Sequence, residues 1–254
     1  MNIREIISDF LKDQGYLNDP NVEGVIFYGS YQTNTNTDSS DIDIMIIYSD
    51  ESNKEAIKGY KKYKGYDFEY FERTLSSLYK RAEYDYIHFE DTLYSSVGYA
   101  ELLIDKNQKL KKLQNYVLTK YKEGLPKLED DEKMNLAKSL HKSMERLYKM
   151  RESSNPYFSI FYGITLEQIR NYYHKLNGFS NISTANVCKL YTNEKIQRAQ
   201  HKNLPENKFI ELYLKCVNNV EYKNILELYS YVIRDIKDSV DFYNIRIKLG
   251  NRQH

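Results

Sequence analysis

Apolar and polar positions change period several times along this chain, and the changes mark out its elements. Ile3, Ile6, Ile7, Phe10 and Leu11 recur at helical spacing, so residues 2–14 read as an amphipathic helix stopped by Gly15. Val25 to Tyr28 is a short apolar run that breaks at Gly29-Ser30; after a loop of Thr, Asn and Ser a second apolar run opens with Asp41-Ile42-Asp43. The stretch reads as strand, turn, loop and strand. Residues 51–60 are polar and suggest a short connection of helical character ending at Gly59. From Lys64 to Phe71 the pattern alternates, as in a strand, with Asp67 and Glu69 on one face and Phe68 and Tyr70 on the other. Leu75, Leu78 and Tyr79 predict a helix over 73–84, whereas 86–99 has no readable period and its acids and His88 suggest surface roles. Residues 101–105 read as a strand and 107–122 as a helix.

Gly124-Leu125-Pro126 and the acidic run Glu129 to Glu132 then interrupt the pattern, and a domain boundary is expected there, dividing 1–124 from 125–254. The acids also suit the first turn of a following helix, where the helix dipole favours negative charge. Leu136, Leu140, Met144, Leu147 and Tyr148 form one stripe over 130–152. Further helices are expected at 157–176, 206–218 and 221–243, the last with Ile225, Leu228, Tyr229, Val232, Ile236 and Val240. The fold class is α/β (α+β): a mixed sheet flanked by helices, then a C-terminal helical bundle.

Charge narrows the partners. Lys plus Arg is 37 against 36 for Asp plus Glu, so the sequence supplies no basic excess for a long nucleic acid. Cys188 and Cys216 have no metal-ligand spacing. The N-terminal Met-Asn-Ile-Arg-Glu lacks a signal-peptide pattern and no apolar run has the length of a membrane span, so the expectation is a cytoplasmic protein without a membrane partner. His174 follows Arg170 and Asn171 too closely for a ribonuclease-type helix and is expected to be structural or at the surface. A homodimer is left open.

The chemistry concentrates between residues 23 and 47. Side chains alternate along a strand, so Asp41 and Asp43 share a face. Two carboxylates a strand period apart are costly to hold together without a cation between them. All-oxygen ligands favour a hard ion such as Mg²⁺, which takes one or two carboxylates together with substrate phosphates. Gly29 lets the backbone approach a ligand, and Ser30 offers a hydroxyl and an N–H to phosphate oxygen. The competing reading is an edge strand with a polar hairpin loop and two solvated acids.

Gly29-Ser30, ten residues, then Asp41-x-Asp43 resembles the signature of the polymerase-β-like nucleotidyltransferase superfamily. The resemblance implies an N-terminal nucleotidyltransferase domain with a nucleoside triphosphate, ATP or another, as co-substrate and two Mg²⁺ ions. It places the triphosphate on Gly29 and Ser30, with Ser40 beside them, and the metals on Asp41 and Asp43. It also implies a third catalytic and metal-binding carboxylate on a neighbouring strand, for which Asp67 is the first choice and Glu69 the reserve.

The string Glu145-Arg146-Leu147-Tyr148-Lys149-Met150-Arg151 is similar to a helix of the kanamycin-type aminoglycoside nucleotidyltransferases. That similarity implies Glu145 as base toward an acceptor hydroxyl and Lys149, one turn on, as a nucleotide contact; a surface salt bridge explains the pair equally well. The reaction expected is transfer of a nucleoside monophosphate, AMP from ATP, to a hydroxyl of a small molecule such as an aminoglycoside-type antibiotic. The alternatives are modification of a protein partner, as by antitoxin-like nucleotidyltransferases, and a catalytically inactive nucleotide-binding scaffold.

Overall fold

The computed structural model describes residues 2–234. They divide into two units: the chain up to Gly124 joined by Asn193–Lys202, and Leu125–Thr192 with the chain from Asn203 onward.

The first unit is built on a five-stranded mixed sheet in the order β3-β4-β2-β1-β5. Its strands are β1 (Val22–Tyr28), β2 (Ile42–Tyr48), β3 (Ile57–Tyr63), β4 (Tyr66–Thr74) and β5 (Glu101–Asp105). β1 runs antiparallel to β2 and β5, whereas β2 and β4 are parallel. The region expected as a helical connection is in fact edge strand β3, antiparallel to β4. As an edge strand it is largely exposed and carries no apolar face for a period to reveal. The turn between them is Lys64-Gly65, both with positive φ (48° and 85°), as a two-residue hairpin requires. Gly59 stops nothing: a Cβ there would overlap the ring of Tyr70 on β4.

Each sheet face has its own cover. Helix α1 (Ile3–Asp13) begins in a capping box, Asn2 Oδ1 accepting from the Arg4 N–H and Glu5 Oε2 from the Asn2 N–H. It buries Ile6, Ile7, Phe10 and Leu11 against Val25, Phe27, Ile42, Ile44, Ile46 and Phe68. Phe10 stacks on Phe68 with ring centroids 4.3 Å apart. On the opposite face, α3 (Leu75–His88), α4 (Lys109–Glu123) and a π-helical turn at Tyr94–Gly98 enclose Ile26, Met45 and Ile47. A very short helix, α2 (Gly29–Gln32), follows β1.

The second unit is helical, with α5 (Asp130–Glu152), α6 (Phe158–Leu176), α7 (Thr184–Thr192), α9 (Asn207–Asn218) and α10 (Tyr222–Val232). Helix α8 (Glu194–Gln200) belongs to the segment that joins the first unit, where the Tyr94 hydroxyl donates to the His201 carbonyl (2.8 Å) and Lys202 pairs with Asp91 (2.9 Å). Neither α7 nor α8 shows in the apolar pattern. On α5 the buried stripe is Ala137, Leu140, Met144, Leu147 and Met150; Tyr148 points outward instead. His174 is fully buried between the Ser180 carbonyl (2.7 Å) and the Tyr191 hydroxyl (2.8 Å), a structural role. Ile236 and Val240 lie outside the described residues. Among the described residues no helix is long and apolar enough to cross a membrane.

Candidate active site

The face under α3 and α4 changes character along its length. Met45 and Ile26 lie in that core with Phe71 packed against it, yet two residues away on the same strands stand Asp43, Tyr28 and Glu69. Cross-strand partners share a face, and the register pairs Tyr28 with Asp43, Asp43 with Glu69, and Glu69 with Tyr60. One row therefore crosses four strands, Tyr60–Glu69–Asp43–Tyr28, with Asp41 just ahead of Asp43 at the start of β2.

Gly29 closes this row from the end of β1. Its φ is +79°, and a Cβ there would overlap Asp43 Oδ2. Glycine is required for conformation and for contact alike, since the backbone turns sharply where it meets the carboxylate. The turn is fastened from beyond: the Thr33 hydroxyl donates to the Gly29 carbonyl (3.0 Å), and the Thr35 N–H donates to the Ser30 carbonyl (2.8 Å). Ser30 is half-buried on this turn. Ser40 is engaged within the loop, its hydroxyl accepting from the Thr37 N–H at 2.9 Å.

Burial pushes the Asp43 carboxyl up to about 7, and the charges of Asp41 and Glu69 add to the push while Lys58 opposes it. Burial also raises the Tyr28 phenol, with Asp43, Glu69 and Asp41 contributing. Positive charge reaches the cluster from Arg73, which opposes the shift at Tyr28, and from Lys58. Glu69 has one cationic neighbour, Lys58, whose ammonium is 2.9 Å from Oε1.

Asp67 stands elsewhere. Although it shares a strand face with Glu69, it lies one pleat further out, 67% exposed and 3.5 Å from Lys62. The acid set opposite Asp43 is Glu69, 19% exposed. Alternation alone could not separate the two, because the choice depends on how β4 slides along β2. Among the described residues no three His, Cys, Asp or Glu side chains form a ready-made metal cage. The donor set here is oxygen only, a half-buried carboxylate neighboured by two others with a glycine backbone against it. Those are the features Mg²⁺ uses when phosphate oxygens and water complete its shell.

Glu145 and Lys149 belong to the second unit, on α5. Glu145 is partly exposed, 3.9 Å from His141 Nε2, while His141 Nδ1 meets the Tyr229 hydroxyl at 3.0 Å. Lys149 is exposed. Sequence reasoning missed Lys58 and Tyr28. Lys58, Tyr60 and Lys62 alternate before Lys64-Gly65, and that hairpin signature was the available signal.

The mixed sheet with its flanking helices defines a domain of the α+β class, with the glycine turn and the carboxylate row at the ends of β1 and β2. A family model described as a nucleotidyltransferase domain matches residues 3–138, more than half of the chain. The chain belongs to that family and is a transferase. No curated protein matches it. Among solved structures it is similar to a nucleotidyltransferase-like protein from Exiguobacterium sibiricum, at 11% identity and a TM-score of 0.48, over 92% of this chain and 76% of that one.

Proposed function

We propose that the protein transfers a nucleoside monophosphate, AMP from ATP, to a hydroxyl of a small molecule in a Mg²⁺-dependent reaction, with aminoglycoside-type antibiotics the leading acceptor class. The supporting observation is the abutment of Gly29 on Asp43 within the carboxylate row. Gly29 and Ser30 would receive the triphosphate, and Asp41, Asp43 and Glu69 would hold divalent cation, with Glu69 taking the role first assigned to Asp67. A cation bound there supplies Lewis-acid polarisation of the phosphoryl oxygens. In the transfer, the acceptor oxygen bonds to the α-phosphorus, the bond from that phosphorus to the β-bridging oxygen breaks, and pyrophosphate leaves. A general base must take the acceptor's proton, and the local sequence similarity would give that role to Glu145. The acceptor class and the roles of Glu145 and Lys149 rest on the local sequence similarity alone.

The test is direct. Incubated with ATP and Mg²⁺ against an antibiotic panel, the protein should yield adenylylated products by mass spectrometry. Adenylylation of proteins only would move the reading to a protein acceptor, and no transfer to any acceptor would favour a scaffold.

A further inference from the structure

Lys58 has no place in the chemistry just described, yet it is tied to the site. It rises from edge strand β3, its ammonium 5.1 Å from the Phe71 ring centroid and 5.0 Å from that of Tyr60, and pairs with Glu69 Oε1 at 2.9 Å. Glu69 in turn is the cross-strand partner of Asp43. The other lysines of this hairpin are engaged away from the row: Lys61 on Gln14, Lys62 on Asp67 and Lys64 on Asp9. The inward partner, Glu69, is 19% exposed, while Lys58 is 44% exposed at the sheet edge. The acid end of the ion pair sits within the sheet and the lysine end stands nearer solvent.

We propose that Lys58 is the resident counter-ion of the carboxylate row, holding Glu69 until a divalent cation arrives together with its nucleotide, and thereby coupling metal loading to nucleotide binding. This rests on the metal–triphosphate reading of the site. Clustered carboxylates are costly without a cation among them, and in the free protein the lysine ammonium is the cation paired with the row. A metal arriving alone must break that pair and strand the ammonium. A metal arriving on a triphosphate brings anionic oxygens that accept the displaced ammonium. Lysine suits such an exchange because its charge is compact and its four-carbon stem is flexible, whereas a bidentate arginine clamp is harder to swap.

The experiment is a Mn²⁺ titration of the full chain, followed by the electron spin resonance of free Mn²⁺, with and without non-hydrolysable ATP and GTP analogues. Wild type is compared with Lys58→Met and Lys58→Arg, and circular dichroism melting confirms that each is folded. Wild type should bind Mn²⁺ markedly better when the analogue is present. Lys58→Met should bind Mn²⁺ alone more tightly, up to about fivefold for a partly exposed pair, and lose most of the enhancement by analogue. Lys58→Arg should retain the coupling in part because it keeps the charge. Unchanged or weaker binding of Mn²⁺ alone by Lys58→Met overturns the inference while leaving the metal site intact. Failure of wild type to bind Mn²⁺ even with an analogue overturns the site reading as well.

Discussion

At the scale of single residues, the two acids of β4 make the sharpest comparison. Glu69 faces Asp43 across the strands, whereas Asp67 is a solvated partner of Lys62. Glu69→Gln should abolish transfer, and Asp67→Asn should leave kcat/KM within a few-fold of wild type; steady-state kinetics showing the reverse order would reinstate Asp67. Asp43 carries a pH signature in the metal-free protein. Its folded value of about 7 lies above the ordinary 3.8. Between those values the folded state binds more protons than the unfolded one, so stability falls as pH rises and the loss is complete above pH 7. The penalty is on the order of 4 kcal/mol. In EDTA, Asp43→Asn should therefore melt above wild type at pH 8 and lose that advantage toward pH 4, and Mg²⁺ should narrow the gap. Gly29→Ala combines a strained positive φ with overlap on Asp43. It should cost roughly 1–3 kcal/mol or more of stability, together with turnover, measured by melting and by transfer assay.

At the scale of elements, α5 carries the base and the phosphate contact proposed above, Glu145 and Lys149, and substitution tells the two roles apart. Glu145→Gln keeps size and hydrogen bonding but removes the proton acceptor, so turnover should fall by roughly 10²–10⁴-fold with nucleotide affinity nearly unchanged. Lys149→Met should weaken nucleotide binding as well as turnover. If these residues only decorate the helix surface, either change costs at most about 1 kcal/mol and leaves kinetics alone. Helices such as α1, α5 and α6 were legible because a face packed against something else imposes a period of 3.6 on the sequence. Edge strand β3 was not, because both of its faces are largely wet and nothing forces apolar alternation on Ile57 to Tyr63. The short helices α7 and α8 escaped for a related reason, since two turns carry too few apolar positions to establish a phase.

At the scale of the whole molecule, a nucleotide that binds only the folded state stabilises it by mass action, by about 2.7 kcal/mol at a hundredfold excess over its dissociation constant. Saturating ATP with Mg²⁺ should raise the melting temperature, and EDTA should cancel most of the gain. Absence of a shift with any nucleoside triphosphate would argue for the scaffold reading. The first unit should carry the effect, because Gly29, Ser30, Asp41, Asp43 and Glu69 all belong to it.

The sequence alone determined the glycine turn and the Asp41–Asp43 pair, because both are local: a residue without Cβ and two acids on one strand face need only neighbours in the chain. It also determined the fold class, since packed faces write their period into the order of residues. The choice between Asp67 and Glu69 belonged to tertiary structure, as it depends on the register of β4 against β2, two strands separated by the whole of β3. The need for glycine at position 29 has a local part, its positive φ, and a tertiary part, the Asp43 oxygen that any Cβ would meet. Lys58 came to light with the structure: the Lys64-Gly65 turn hints at a hairpin, but the pairing of β3 with β4 is what folds this edge-strand cation back onto an acid eleven residues further along the chain.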